Sequence, residues 1–321
     1  MEKQTIHIAA CPDKDYVMPT GVMMYSACVN NPDVDIDFHI IIDESVTKDD
    51  QHDLMDSICM FEGKKVLFHH FKNRSDINFP IIFDTHLPRA AYYRLFLSSL
   101  LSSVIDKVLY LDGDIIVRHS LLPLWQTDLT GYAVGATIDA SEGDIGNYNR
   151  LKYSYEKGYF NSGVLLINLK YWRDNHVEKE FVEYIVNFPN RILYADQDVM
   201  NVVFQNNKLT ISIKYNLQSF FLRKVPSWDY WKYEEDFKES ISDPVIVHFT
   251  SKWKPWYFDL SFSHPYRSSF LKYQRETKWA NYCIDRRSLY MKIRSCIGNI
   301  VRKRGVKTHI SSNFLDLPPL D

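Results

Sequence analysis

The chain has 321 residues and a mass of 37.9 kDa, enough for about two average domains or one large α/β domain. With 45% apolar and 24% charged residues and only 11 Gly and 13 Pro, it is not collagen-like, low-complexity or disordered over most of its length. Lys and Arg total 38 against 40 Asp and Glu, so a formal charge of -2 gives the whole molecule no field that would draw it onto nucleic acid.

Thr5 to Ala10 predicts an opening strand, Val17 to Val29 an apolar helix, and Asp35 to Ile42 a second strand. Thr47-Lys48-Asp49-Asp50 has the form of a capping box, followed by Leu54, Met55, Ile58 and Phe61 at helical spacing and a strand at Lys65 to His70. Arg89 to Leu101 reads as helix. Lys107 to Leu111 and Ile115 to Val117 read as extended, and Tyr132 to Ile138 and Gly163 to Leu169 as buried strands. Asp174 to Asn187 and Asp196 to Gln205 return to helix. This alternation predicts the α/β class, with a mostly parallel sheet flanked by helices and ligands bound where strands end. After Thr210 the sequence becomes aromatic and Pro-containing, with one clear strand at Val245 to Phe249. Without an internal repeat or dividing linker, the expectation is one domain over 1–279 with an irregular C-terminal portion, then a basic helical tail over 280–321.

Charge separates these parts: Ala280 to Asp321 holds 8 Lys/Arg and 3 Asp, so the tail carries +5 and the body -7. Arg286, Arg287, Lys292, Arg294, Arg302, Lys303, Arg304 and Lys307 interleave with Leu289, Tyr290, Ile293, Ile297, Ile300 and Val301 at near-helical spacing. That pattern suits a helix lying on an anionic membrane surface; a solvated helix or nucleic-acid patch is the blander alternative. The five cysteines, Cys11, Cys28, Cys59, Cys283 and Cys296, are odd in number and lack CxxC spacing, against a disulfide framework or Cys-rich zinc site. No signal-peptide pattern precedes Ile6, and no apolar run reaches the ~20 residues of a membrane span. The expected location is cytoplasmic, peripheral to the inner face of the cytoplasmic membrane.

Chemistry concentrates at a few chain reversals. Asp112-Gly113-Asp114 lies between the apolar runs Val108 to Leu111 and Ile115 to Val117. Asp-Gly suits a tight hairpin turn, but paired carboxylates at a strand end also suit a hard divalent cation whose shell is completed by substrate phosphates. His248 follows the apolar Val245 to Val247 and precedes Lys252 and Lys254; a core histidine and solvated lysines compete with a metal ligand and a diphosphate-neutralising ammonium. Asp196, Gln197 and Asp198 open a helical segment, where acidic residues also occur as simple caps. Gly158 to Gly163 reads as a turn into the strand that follows.

Tyr92-Tyr93-Arg94-Leu95, Tyr110-Leu111-Asp112-Gly113-Asp114, Tyr159-Phe160-Asn161-Ser162-Gly163 through Asn168, Asp196-Gln197-Asp198, and His248 with Lys254-Pro255-Trp256 occur in that order. Together they resemble glycosyltransferase family 8, especially its bacterial galactosyl- and glucosyltransferases that extend lipopolysaccharide or lipooligosaccharide cores. The likeness spans roughly residues 5 to 275, including His264-Pro265-Tyr266 and Tyr273. It implies a GT-A fold with a Rossmann-like sheet, a UDP-galactose or UDP-glucose donor, Mn2+ or Mg2+, retention of anomeric configuration, and a saccharide or lipid-linked saccharide acceptor.

By the same resemblance, Asp112, Asp114 and His248 hold the metal, Gly113 belongs to the donor site, and Lys254 contacts donor phosphate. Ala9, Asp13, Asp15 and Tyr16 fall where the uridine is held, although Cys11-Pro12 departs from the usual pattern there. Arg94, Asn161, Asp196 and Gln197 surround the donor sugar and reacting centre, and Asp139 falls near the acceptor. Ser251 stands where the family usually has Gly; it suits a backbone phosphate contact at ordinary dihedrals and is strained at positive φ. Gln197 is a poor nucleophile, which favours front-face attack by the acceptor, with Asp196 orienting donor hydroxyls or stabilising the cationic carbon. A sugar-nucleotide nucleotidyltransferase would need a Gly-rich phosphate loop, whereas Ala9 to Gly21 contains one Gly. A non-catalytic sugar-nucleotide-binding protein is the other alternative.

Overall fold

The computed structural model describes residues 3–72, 79, 89–223, 230–250, 254–258 and 264–285. Its first strands are β1 (Thr5–Ala10), β2 (Asp35–Ile42), β3 (Lys64–His70), β4 (Lys107–Leu111) and β5 (Ile115–Val117). Then follow β6 (Val134–Ile138), β7 (Phe160–Asn168), β8 (Lys208–Thr210), β9 (Leu217–Gln218) and β10 (Ile246–His248). A seven-stranded sheet has the order β3-β2-β1-β4-β7-β6-β8. All its pairings are parallel except those of β7, which runs antiparallel to both β4 and β6. This is the expected α/β class.

The apolar runs of β4 and β7 are nearly continuous because helices cover both faces of the sheet. Val108, Tyr110, Leu165 and Ile167 pack with Trp172, Phe181, Val199 and Phe204 on one side. Leu109, Leu111, Val164 and Leu166 pack with Met23, Met24 and Ala27 of the helix Val17–Val29 on the other. Truncating such a buried leucine, Leu166 for example, to alanine costs about 2–5 kcal/mol. The Thr47 capping box forms as its residues predict: Asp50 N–H donates to Thr47 Oγ1, and Thr47 N–H donates to Asp50 Oδ2.

A second sheet has the order β5-β10-β9. β5 leaves β4 and pairs antiparallel with β10, matching His248 with Ile115, while β10 runs parallel to β9. Asp112-Gly113-Asp114 is therefore a crossing from one sheet to another and not a hairpin. The crossing carries both carboxylates to the end of β10.

Several boundaries differ from the local pattern. Arg89–Phe96 is a 3-10 helix before a short α-helix at Leu97–Leu100, and the segment expected as Asp174 to Asn187 breaks at His176, whose φ is 52°. The strand expected from Gly163 begins at Phe160, so Asn161 and Ser162 are strand residues rather than a turn. The helix Lys48–Asp56 stops before Ile58, and Met55 is 37% exposed rather than core.

The free cysteines include Cys11, Cys28, Cys59 and Cys283; Cys296 lies outside the described residues. No helix among the described residues is long and apolar enough to cross a membrane. The expected tail boundary at 280 falls inside a segment tied to the body. Ile284 N–H donates to the Trp256 carbonyl, and Phe258 N–H donates to the Ile284 carbonyl. The basic helix expected from Arg286 onward, and Ser251, lie outside the described residues.

Candidate active site

A cavity of about 560 Å³ opens where β1, β4 and β7 meet the second sheet, within the usual size of a small-molecule site. One end of it collects Asp112, Asp114 and His248, each offering a ligand atom within 4.8 Å of the others. Asp112 Oδ1 accepts from Tyr110 Oη (2.8 Å) and pairs with Arg94 Nη2 (2.9 Å), leaving Oδ2 facing His248 Nε2 at 3.7 Å. Lys254 sits on Asp114 Oδ2 and also donates to the Phe249 carbonyl, while Asp114 Oδ1 lies 3.3 Å from the same Nε2. Burial pushes the Asp114 carboxyl up, but Lys254 and His248 outweigh it and hold the group well below the usual carboxylate range.

Hydrogen bonding explains why this set fits a cation. Gly163 N–H donates to Asn161 Oδ1 (2.9 Å), and Asn216 Nδ2 donates to the same oxygen (2.9 Å). That orientation leaves Asn216 Oδ1 facing His248 Nδ1 at 2.9 Å, an acceptor that requires the ring proton on Nδ1. Nε2 is then the ring atom that faces the two carboxylate oxygens and the one free to bind a cation in place of a proton. Two carboxylate oxygens and an imidazole nitrogen converging on one point suit a divalent cation with oxygen and imidazole ligands. Gly163 lines the same space, with no room for a side chain between itself and His248.

The other end of the cavity holds Arg94, Asp196, Gln197, Asn161 and Asp139. Arg94 lies over the Tyr110 ring at 4.2 Å, donates to the Ser162 and Ala91 carbonyls, and stands 3.3 Å from Asp196 Oδ2. It thereby bridges the metal-side Asp112 and the sugar-side Asp196. Burial pushes the Asp196 carboxyl up to about 6 despite the Arg94 charge, with the negative Asp112 adding to the rise. Gln197 Oε1 accepts from Ser162 N–H (3.1 Å) and Asn161 Nδ2 (3.3 Å), and its Nε2 donates to Asp139 Oδ2 (3.3 Å). Its amide is fixed in direction, oxygen toward β7 and nitrogen toward Asp139.

These two side chains are aimed by the start of the helix Ala195–Val203. Asp198, wholly buried, accepts from the Leu193 and Tyr194 N–H groups and from Tyr159 Oη, all at 2.7 Å, and pairs with Arg150 at 2.6 Å. The clamp holds Ala195 at φ 44°, a left-handed conformation that costs a non-glycine residue roughly 1–3 kcal/mol. The third residue of Asp196-Gln197-Asp198 thus shapes the loop, while the first two line the cavity.

Of the residues expected at the site, Asp13, Tyr16, Arg94, Asp112, Gly113, Asp114, Asp139, Asn161, Asp196, Gln197, His248 and Lys254 all line this cavity. Ala9 does not: it is buried within the sheet between β2 and β4. Asp15 is exposed and absent from the lining, whereas Asp13 caps the turn by accepting from the Asp15 and Tyr16 N–H groups. Sequence reasoning missed Cys11, Pro12, Tyr110, Ser162, Gly163, Tyr194 and Phe220 as lining residues, and Asn216 as the partner of His248. Tyr110, Ser162 and Gly163 lay inside recognised motifs; Asn216 sits in the aromatic stretch after Thr210 and carried no signal.

The profile of "Glycosyl transferase family 8" matches residues 7–259. The chain belongs to this family. General stress protein A of Bacillus subtilis is 26% identical over 283 residues, covering 86% of this chain and 95% of its own length. Lipopolysaccharide 1,2-glucosyltransferase of Escherichia coli K12 is 27% identical over 257 residues, covering 79% and 73%. Among solved structures, the galactosyltransferase LgtC in complex with donor and acceptor sugar analogs superposes with a TM-score of 0.75 at 26% identity, covering 85% of this chain and 96% of that one. Another solved form of LgtC is an active-site mutant with glutamate in place of glutamine. The fold is GT-A, and the chain is a family 8 glycosyltransferase.

Proposed function

We propose that this enzyme transfers galactose or glucose from a UDP-sugar to a saccharide acceptor, with retention of anomeric configuration. In this reading the donor diphosphate meets Mn2+, or Mg2+, held by Asp112, Asp114 and His248. The observation that carries the reading is one cavity with a cation-binding end and a polar, uncharged Gln197 at the other, bridged by Arg94. When bound, the cation would stabilise negative charge as the diphosphate leaves. Lys254 supplies a second positive charge beside it, and Arg94 holds Asp112 in place and compensates the buried Asp196. Gln197 offers no charged nucleophile, so the acceptor hydroxyl attacks from the leaving-group face and its proton passes to the departing phosphate oxygen. Asp139 holds the Gln197 and Asn161 amides and serves the acceptor side.

The acceptor is a growing surface glycan of the lipopolysaccharide-core type, as the names of the E. coli and Salmonella relatives suggest. The basic segment from Arg286 would keep the enzyme on the inner face of the cytoplasmic membrane, close to a lipid-linked acceptor. Calorimetric titration with UDP tests the donor reading. Binding that needs Mn2+ and weakens strongly in Lys254→Ala is expected; cation-independent binding, unchanged by that substitution, would refute it.

A further inference from the structure

We infer that Asn216 is a positioning residue that fixes the tautomer of His248 and so presents Nε2 to the cation. The inference rests on the metal reading above and adds to it a residue outside the five motifs that carried the resemblance in the sequence. Asn216 is wholly buried at the entry to β9, one strand removed from the crossing that carries the carboxylates.

Two groups whose chemistry permits no ambiguity set the direction of the relay. A backbone N–H can only donate, so Gly163 turns the oxygen of Asn161 toward itself. The other side of the Asn161 amide faces Asp139 Oδ2 at 2.9 Å, and an ionised carboxylate only accepts. Asn216 must then present nitrogen to Asn161 and oxygen to His248. A ring proton is thereby held on Nδ1, so that Nε2 is the nitrogen turned toward Asp112 and Asp114 and the one a cation can take. Without Asn216 the imidazole would gain by turning the Nε2–H form toward those carboxylates, replacing an open ligand position with a hydrogen bond. The same relay commits the whole Asn161 amide within the protein, Oδ1 accepting from Gly163 and Asn216 and Nδ2 donating to Asp139 and Gln197.

The proton position can be read in the cation-free wild-type protein from long-range 1H–15N correlations of the imidazole, assigned by comparison with His248→Gln. Protonation at Nδ1 is expected in both the neutral and the doubly protonated ring, and a neutral ring protonated at Nε2 alone would overturn the relay whatever the variants do. Mn2+ affinity followed by electron paramagnetic resonance should fall about 10- to 100-fold in Asn216→Ala, the usual effect of removing a metal ligand's hydrogen-bond partner. Asn216→Asp keeps an acceptor for Nδ1–H and should retain the tautomer and most of the affinity, though it gives up donation to Asn161. Wild-type affinity in the alanine variant, or equal losses in both, would overturn the inference. Wild-type protein that ignores Mn2+, or binds it equally without His248, would instead refute the metal reading, while the cation-free spectrum still decides the relay.

Discussion

Gly163 and His248 occupy a space that admits only one side chain: a Cβ on Gly163 would lie 2.1 Å from His248 Cε1 and 2.8 Å from Asp112 Oδ2. The glycine is needed for close approach, since its backbone lies in β7 and is not in a left-handed conformation. Gly163→Ala should displace the imidazole and lower Mn2+-dependent turnover by at least ~10²-fold, comparable to losing one strong transition-state stabiliser. Cation affinity and turnover measured together check this; wild-type values for both would contradict it.

The two carboxylates should differ when removed. Asp114 is 5% exposed and bears the buried Lys254 ammonium, so Asp114→Ala leaves a buried charge without its counter-ion. In cation-free protein the expected loss is about 3–5 kcal/mol, partly restored by Lys254→Met in the same chain. Asp112→Ala should cost less, because Arg94 keeps Asp196. Urea unfolding of the three variants measures the difference, while both single variants lose metal-dependent transfer.

Asp196 makes a pH prediction. A carboxyl whose folded pKa is raised to about 6 binds its proton more tightly when folded than when unfolded. The stability this adds is full below the ordinary carboxylate range near 4 and is lost as pH rises through about 6. Asp196→Asn, which cannot ionise, should remove that part of the slope between pH 4 and 6. Chemical denaturation across this window checks it, and an unchanged slope would contradict it.

Membrane attachment is best tested by truncation before Arg286, because Ile284 is hydrogen-bonded to the segment beyond Lys254 and an earlier cut would disturb the site. Each basic residue near an anionic surface contributes ~1 kcal/mol, so the tail should produce salt-sensitive sedimentation with anionic vesicles. The truncated chain should lose this binding and keep transfer to a soluble acceptor. Equal vesicle binding by both forms would contradict the role given to the tail.

Local pattern made much of the architecture legible: the Thr47 box, the apolar helix Val17–Val29 and the runs of β1, β2 and β4 each express their own preferences. What it could not carry was pairing between distant segments. Asp112-Gly113-Asp114 has the local form of a hairpin, and only the pairing of β5 with β10, more than a hundred residues on, turns it into a bridge between sheets. The line-up of Asp112, Asp114 and His248 became legible through motif order, while Asn216 stayed hidden because a single buried amide has no periodicity. His176 and Ala195 adopt positive φ against their own preference, held by their surroundings, so the breaks beside them left little local trace.

The most direct test is a donor screen in Mn2+ with truncated lipopolysaccharide cores as acceptors, reading UDP release and the anomeric coupling constant of the product by NMR. UDP-galactose or UDP-glucose should give an α-linked product, abolished by chelation and restored by Mn2+. A β-linked product, or transfer indifferent to chelation, would contradict the account.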